Sequence, residues 1–178
     1  MDKTLPIILE LDVPKHADEI LSFTKTVLSA ILAHKDLTKA QQQRIKLIVV
    51  ELVTNSIKHA VGKTSQIKLL IDHPTLTIQK LEKGLQIEFT SSHQQIPFAE
   101  IDKTINIAFS EENKYQIQTL DKYKFQFLNS PSAAVNIEDI PEHFGFYIIT
   151  MASDSFVYQY DPISKENQYI VRINTSGN

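Results

Sequence analysis

The chain has 178 residues, 42% hydrophobic and 22% charged, enough apolar material for one soluble domain with a sizeable core. Its formal net charge of −3 lacks the basic footprint that sequence-independent nucleic-acid binding requires. With no cysteine, disulfides, thiol catalysis and cysteine-ligated metal are excluded.

The first twenty residues hold no uninterrupted apolar region and no small-residue cleavage site, so no secretory signal is expected. No run reaches the roughly 18 apolar residues of a membrane span. The expectation is a cytoplasmic protein with neither membrane nor nucleic-acid partners. Glycine is scarce: Gly62, Gly84, Gly145 and Gly177 are the whole complement.

In chain order, "LPIILELDV" (5–13) alternates Ile7, Leu9 and Leu11 and reads as a strand, closed by Pro14. The stretch 16–36 places Ile20, Leu21, Phe23, Thr24, Val27, Leu28, Ile31 and Leu32 at helical spacing. A second helix starts near Thr38, an N-cap residue, and stops at Gly62, a C′ glycine. Ile45, Ile48, Val49, Leu52, Val53, Ile57 and Ala60 give it an almost unbroken apolar stripe. "SQIKLLID" (65–72) and "LQIEFTS" (85–91) alternate as strands, with "TLTIQKL" (75–81) a third candidate and "EKG" (82–84) a turn. Residues 92–143 lose clear periodicity. Ile101, Ile105 and Phe109, four apart, hint at helix, but Pro97, Pro131 and Pro141 interrupt. This segment is expected as a long, partly ordered insertion. A short helix over 143–155 follows, with Phe146, Ile149 and Ala152 on one side, and two strands across "PISKEN" close the chain. No repeat or linker divides the sequence. The order implies a single α+β domain over 1–178, a two-layer sandwich with a mostly antiparallel sheet and helices on one face.

The second helix carries the candidate chemistry. Glu51 and Asn55, one turn apart, lie at one margin of its apolar stripe. His59 turns into the stripe, and Lys58 lies on the other side of Glu51. A carboxylate and a carboxamide so spaced can reach one bound ion or water. The same spacing is common on solvated helix margins, a histidine on an apolar stripe is usually a core residue, and Lys58 can simply be exposed. Two further sites compete with this one. Ser91, Ser92 and His93, with Asp121, could serve an unrelated α+β enzyme, although nothing in the sequence arranges them as nucleophile and base. The six histidines offer no pair at close zinc-ligand spacing.

"IKLIVVELVTNSIKHAV" resembles the N box of the ATP-binding fold shared by DNA gyrase, heat-shock chaperones, sensor histidine kinases and mismatch-repair proteins, the GHKL superfamily. It is most similar to the bacterial anti-sigma-factor serine kinases, whose helix reads much like E-A-V-T-N-A-hydrophobic-K-H. "HFGFYIITMASDSFVYQYD…QYIVRI" resembles that branch's second glycine box, following helix and closing hairpin. The likeness covers roughly 5–90 and 140–174. It implies Mg and ATP as cofactors, with Asn55 ligating the magnesium and Glu51 acting as the catalytic base or on a metal-bound water. It implies further that Lys58, His59 and Gly145 bind the nucleotide phosphates. The implied activity is serine/threonine protein kinase in bacterial signal transduction. Its implied partner is a sigma factor or anti-anti-sigma-like protein, and a homodimer is compatible with it.

The departures are chemical. The first glycine box should follow the central strand as D-x-G-x-G. With 85–91 as that strand, Thr90, Ser91 or Ser92 stands at the aspartate and no glycine follows before Gly145. The second box, His143-Phe144-Gly145-Phe146, has lost its first glycine. The segment between the boxes, at about 92–143, looks longer than the usual lid. The alternative is therefore a pseudo-kinase that keeps the fold, binds no nucleotide and works by protein–protein contact.

Overall fold

A computed structural model describes residues 6–59, 64–90, 94–110, 114–128 and 145–176. Their elements run β1 (Ile7–Asp12), a 3₁₀ turn (Ala17–Glu19), α1 (Ile20–Leu32), α2 (Lys39–His59), β2 (Ser65–Ile71) and β3 (Thr75–Lys83). These are followed by β4 (Thr104–Ala108), β5 (Lys114–Asp121), β6 (Lys124–Phe127), α3 (Gly145–Ala152), β7 (Ser155–Asp161) and β8 (Glu166–Asn174). The expected Gly62 stop, the Ser91–His93 cluster and the His143-Phe144 half of the second box lie outside the described residues.

α2 begins as its sequence dictates. The Gln41 N–H donates to Thr38 Oγ1 at 3.2 Å, and the Thr38 N–H donates back to Gln41 Oε1 at 2.9 Å, a reciprocal capping box. Ile45, Ile48, Val49, Leu52 and Val53 are then fully buried. Arg44 ties this helix to the C-terminal end of α3, donating from Nε to the Ala152 carbonyl at 2.7 Å and pairing with Asp154 at 3.2 Å. A cation there also meets the negative end of the α3 dipole.

The eight strands form one sheet in the order β1-β2-β3-β8-β7-β6-β5-β4, and every neighbouring pair is antiparallel. With three helices this is an α+β fold, in keeping with the two-layer arrangement expected. Three expectations need correction. Residues 85–90 do not form a strand. Their groups bond elsewhere: the Ile87 N–H goes to Tyr158 Oη, the Leu85 carbonyl to Asn167 Nδ2, and Gln86 Nε2 to the Ile96 carbonyl. The inner strand that reaches this part of the molecule is instead β3, paired with β2 and β8. The third correction is to the hint of helix over Ile101–Phe109: Thr104–Ala108 is a strand, and β4, β5 and β6 continue the sheet through the β6–β7 pairing.

That extension is held by aromatic packing. Phe125 and Phe127, on one face of β6, lie opposite Tyr158 and Phe156 of β7. Phe127 stacks on Phe156 with ring centroids 4.5 Å apart, and Phe89 and Phe98, from the irregular segment, close over Phe125. Burial of each such ring is worth roughly 1.5–3 kcal/mol before geometric preferences are added. No helix among the described residues is long and apolar enough to cross a membrane.

Candidate functional site

A cleft of about 440 Å³ opens beside the C-terminal half of α2. Asn55, Lys58 and His59 line it from the helix, Lys80 and Glu82 from β3, and Gly145 and Phe146 from the start of α3. Phe109 and Tyr115 reach it from the β4–β5 hairpin and Tyr169 from β8. Five elements spread along the sequence therefore converge on one concavity, at the size expected of a small-molecule site.

Glu51 and Asn55 meet at Gly145. A Cβ placed on that glycine would lie 2.9 Å from Glu51 Oε2, 3.1 Å from Asn55 Nδ2 and 3.4 Å from Asn55 Oδ1. Among the described residues the one glycine with positive φ is Gly84, so Gly145 is required for space and not for conformation. The start of α3 is thus seated against the two polar groups of α2. Burial raises the Glu51 carboxyl above its ordinary value, and Lys58 opposes part of that shift. His59 is exposed and borders the cleft, which corrects the reading that turned it into the apolar stripe. Lys58 is exposed beside it.

The cleft floor holds a feature that sequence reading missed. Lys80 and Glu82, two apart on β3, both face inward, and Lys80 Nζ donates to Glu82 Oε2 at 2.8 Å with side-chain exposures of only 3% and 11%. The ammonium also lies 4.2 Å from the centroid of the Tyr169 ring. Around them, Tyr158 Oη donates to Asn167 Oδ1 at 2.6 Å, and Asn167 Nδ2 donates to the carbonyls of Glu82 and Leu85. Burial pushes the lysine ammonium below its usual range, while Glu82, by charge and hydrogen bond, pulls the other way. The signal was present in the alternation: Leu76 and Ile78 are in phase with Lys80 and Glu82 on the buried side of the strand.

The third wall is aromatic. Burial raises the Tyr115 phenol to about 12, against the lowering effect of a hydrogen bond from the Tyr147 backbone in the first turn of α3. Phe109, Tyr115 and Phe146 pack edge to face with centroids 5.5–6.5 Å apart. Among the described residues no group of three His, Asp or Glu could hold a metal by itself. Asn55, which lines the cleft, and Glu51, which is not among its lining residues but meets Asn55 at Gly145, are oxygen donors. That pair suits a hard cation that takes few protein ligands and completes its shell with water and phosphate oxygens.

With 85–91 taken as the strand, its end falls at Thr90–Ser92. At the strand that borders the cleft, the residues are Glu82, Lys83 and Gly84. No protein-family model matches the chain, and no curated protein matches it in sequence.

Proposed function

We propose that this chain is a nucleotide-binding regulatory domain of GHKL type, resembling the anti-sigma-factor serine/threonine kinases, with Mg·ATP held in the cleft beside α2. The observation that carries the reading is the convergence of Asn55, Lys58, His59, Glu82 and Gly145 on one concavity. With β3 as the strand that precedes it, the box expected as D-x-G-x-G aligns with Glu82-Lys83-Gly84. A carboxylate and the first glycine are then present, and only the second glycine, replaced by Gln86, is missing. Gly84 adopts φ 152°, a backbone that side-chain-bearing residues rarely take, so this glycine is needed where it stands.

In this reading Lys58, His59 and the N-terminus of α3 take the phosphates. Asn55 would hold the magnesium, whose role when bound is to neutralise phosphate charge. Phosphotransfer to a serine or threonine of a partner protein is the activity the resemblance adds, with Glu51 as base. Its raised carboxyl pKa moves in the direction a general base needs. Nucleotide binding is tested by unfolding the protein in millimolar Mg·ATP. A hundredfold excess over Kd stabilises by about 2.7 kcal/mol. No shift with Mg·ATP, together with an Asn55→Ala protein indistinguishable from wild type, would overturn the reading.

One observation favours the nucleotide-free alternative. Lys80 already satisfies Glu82 from within the protein, as a partner-binding domain with a vestigial cleft would require. The same titration separates the two.

A further inference from the structure

We propose that Lys80 is a reactive amine that condenses with aromatic aldehydes entering the cleft, with Glu82 as its proton acceptor and as the counterion of the iminium that results. The inference is independent of the nucleotide reading and needs only the cleft and the residues on its floor.

Among the described residues Lys80 is the one buried lysine, and it nevertheless lines the cleft. A buried ion pair is expensive to desolvate, and apolar residues of similar volume often serve stability as well or better. Leu76 and Ile78 occupy the same inner face of β3, so the strand turns to charge only where it meets the cleft. Asn167 and Tyr158 are committed to each other and to the backbone of Glu82, Leu85 and Ile87. The charged groups of the floor are thus one amine and a carboxylate 2.8 Å away.

Three features suit that amine to carbonyl chemistry. Burial works against its charged form and so favours the neutral nucleophile, although Glu82 pulls the other way. Glu82 Oε2 already accepts a hydrogen bond from Nζ, so it stands where the proton must go before the lone pair can attack. The product also keeps the charge of the site. A protonated imine is still a cation beside Glu82 and over the Tyr169 ring, whose centroid is 4.2 Å from Nζ. Acylation would instead neutralise the nitrogen and strand the buried carboxylate.

The step balances. The ammonium passes one proton to Glu82, Nζ bonds to the carbonyl carbon, and the C=O π pair moves to oxygen. That oxygen takes a second proton from the nitrogen, and Glu82 returns the first as the hydroxyl leaves as water. The walls of the cleft select the aldehyde. Phe109, Tyr115 and Phe146 lie with centroids 5.5–6.5 Å apart and offer a flat ring an apolar face. Tyr169 and Glu82 crowd Nζ, so the carbonyl carbon carries a hydrogen in place of a second carbon.

The test treats the unmodified chain at neutral pH with salicylaldehyde and cyanoborohydride, which reduces an iminium to a stable secondary amine, and locates the adduct by peptide mass spectrometry. The dominant adduct is expected at Lys80, formed about ten-fold or more faster than at any exposed lysine, since a positioned acid–base group is worth about 10²–10⁴-fold. Acetaldehyde leaves the aromatic wall unused. Relative to the exposed lysines, it should label Lys80 about ten-fold or more slowly than salicylaldehyde does. Lys80→Arg keeps a cation opposite Glu82 and should lose this adduct while the exposed lysines react as before. If that variant fails to fold, Lys80→Met/Glu82→Leu takes its place. Labelling confined to exposed lysines, with Lys80 unmodified in the folded chain, overturns the proposal. Equal labelling of Lys80 by the two aldehydes overturns the aromatic class of the ligand.

Discussion

Replacing Gly145 by alanine tests the seating of α3 on α2. The new Cβ would stand 2.9 Å from Glu51 Oε2 and 3.1 Å from Asn55 Nδ2, inside the roughly 3.5–4 Å of ordinary contact. Overpacking of this kind costs about 1–3 kcal/mol. Both nearest atoms end flexible side chains, so the lower figure applies, and the helix preference of alanine over glycine offsets up to about 1 kcal/mol of it. The expected net loss is therefore about 0–1 kcal/mol, at most a few degrees in Tm. On the proposed reading of the cleft, Mg·ATP affinity should fall about ten-fold or more, because Glu51 and Asn55 must both turn aside. Urea denaturation of wild type, Gly145→Ala, Glu51→Ala and the double variant measures the coupling directly. Removing the Glu51 side chain frees the tightest contact, so the alanine at 145 should cost about 0.5–1 kcal/mol less in that background. Equal cost in both backgrounds, within about 0.3 kcal/mol, would refute the steric argument.

Further outcomes follow from the same geometry. Lys80→Met should destabilise by about 3–5 kcal/mol in urea denaturation by stranding the Glu82 carboxylate, and Lys80→Met/Glu82→Leu should recover most of that. Arg44→Ala should cost about 1–3 kcal/mol and speed amide exchange in α3, since the Ala152 carbonyl and Asp154 lose their cationic partner. Because the folded-state pKa of Glu51 is raised, the unfolded chain releases this proton first as pH rises above about 4.5. The Glu51 contribution to stability is therefore present at low pH and lost on passing up through the folded pKa. Glu51→Gln should remove that fall, so that denaturation midpoints of variant and wild type diverge between acid and neutral pH and converge below it. Phe125→Ala, in a fully buried ring position of β6, should cost about 3–5 kcal/mol and lower a single cooperative transition. A separate early transition for 104–127 would refute its membership of the common core.

The legibility of this chain depended on how many residues repeat each signal. α2 was readable because its apolar stripe, from Ile45 to Ile57, runs through roughly three turns and its cap is written as Thr38-Lys39-Ala40-Gln41. The Glu51–Asn55 pair was readable because side chains one helical turn apart share a margin wherever the rest of the chain lies, whereas Gly145 was reached only through the resemblance of the second box. Residues 85–91 misled because Leu85, Ile87 and Phe89 alternate as in a strand. Phe89 is buried, but Leu85 is 79% exposed and the backbone bonds to side chains. β5 and β6 carried a true alternation, Tyr115-Ile117-Thr119 against Gln116-Gln118 and Phe125-Phe127 about Gln126. It was short, and the prolines on either side of it drew the reading toward irregular structure. The Lys80–Glu82 pair was invisible in composition, because a charge in a strand is ordinarily assigned to the solvent face.

The strand order has a consequence for synthesis of the chain. β1, β2 and β3 form one meander and β4, β5 and β6 another, and they are joined only through β7 and β8. On the ribosome both meanders emerge before the strands that unite them. Until residues 155–174 are made, β3 and β6 each present an open edge, and Phe125 and Phe127 lack their partners on β7. Open edges and uncovered aromatic faces are the features through which nascent chains pair with the wrong neighbour. The interval between translating Phe127 and translating β8 is the time for which this protein most needs protection by a chaperone.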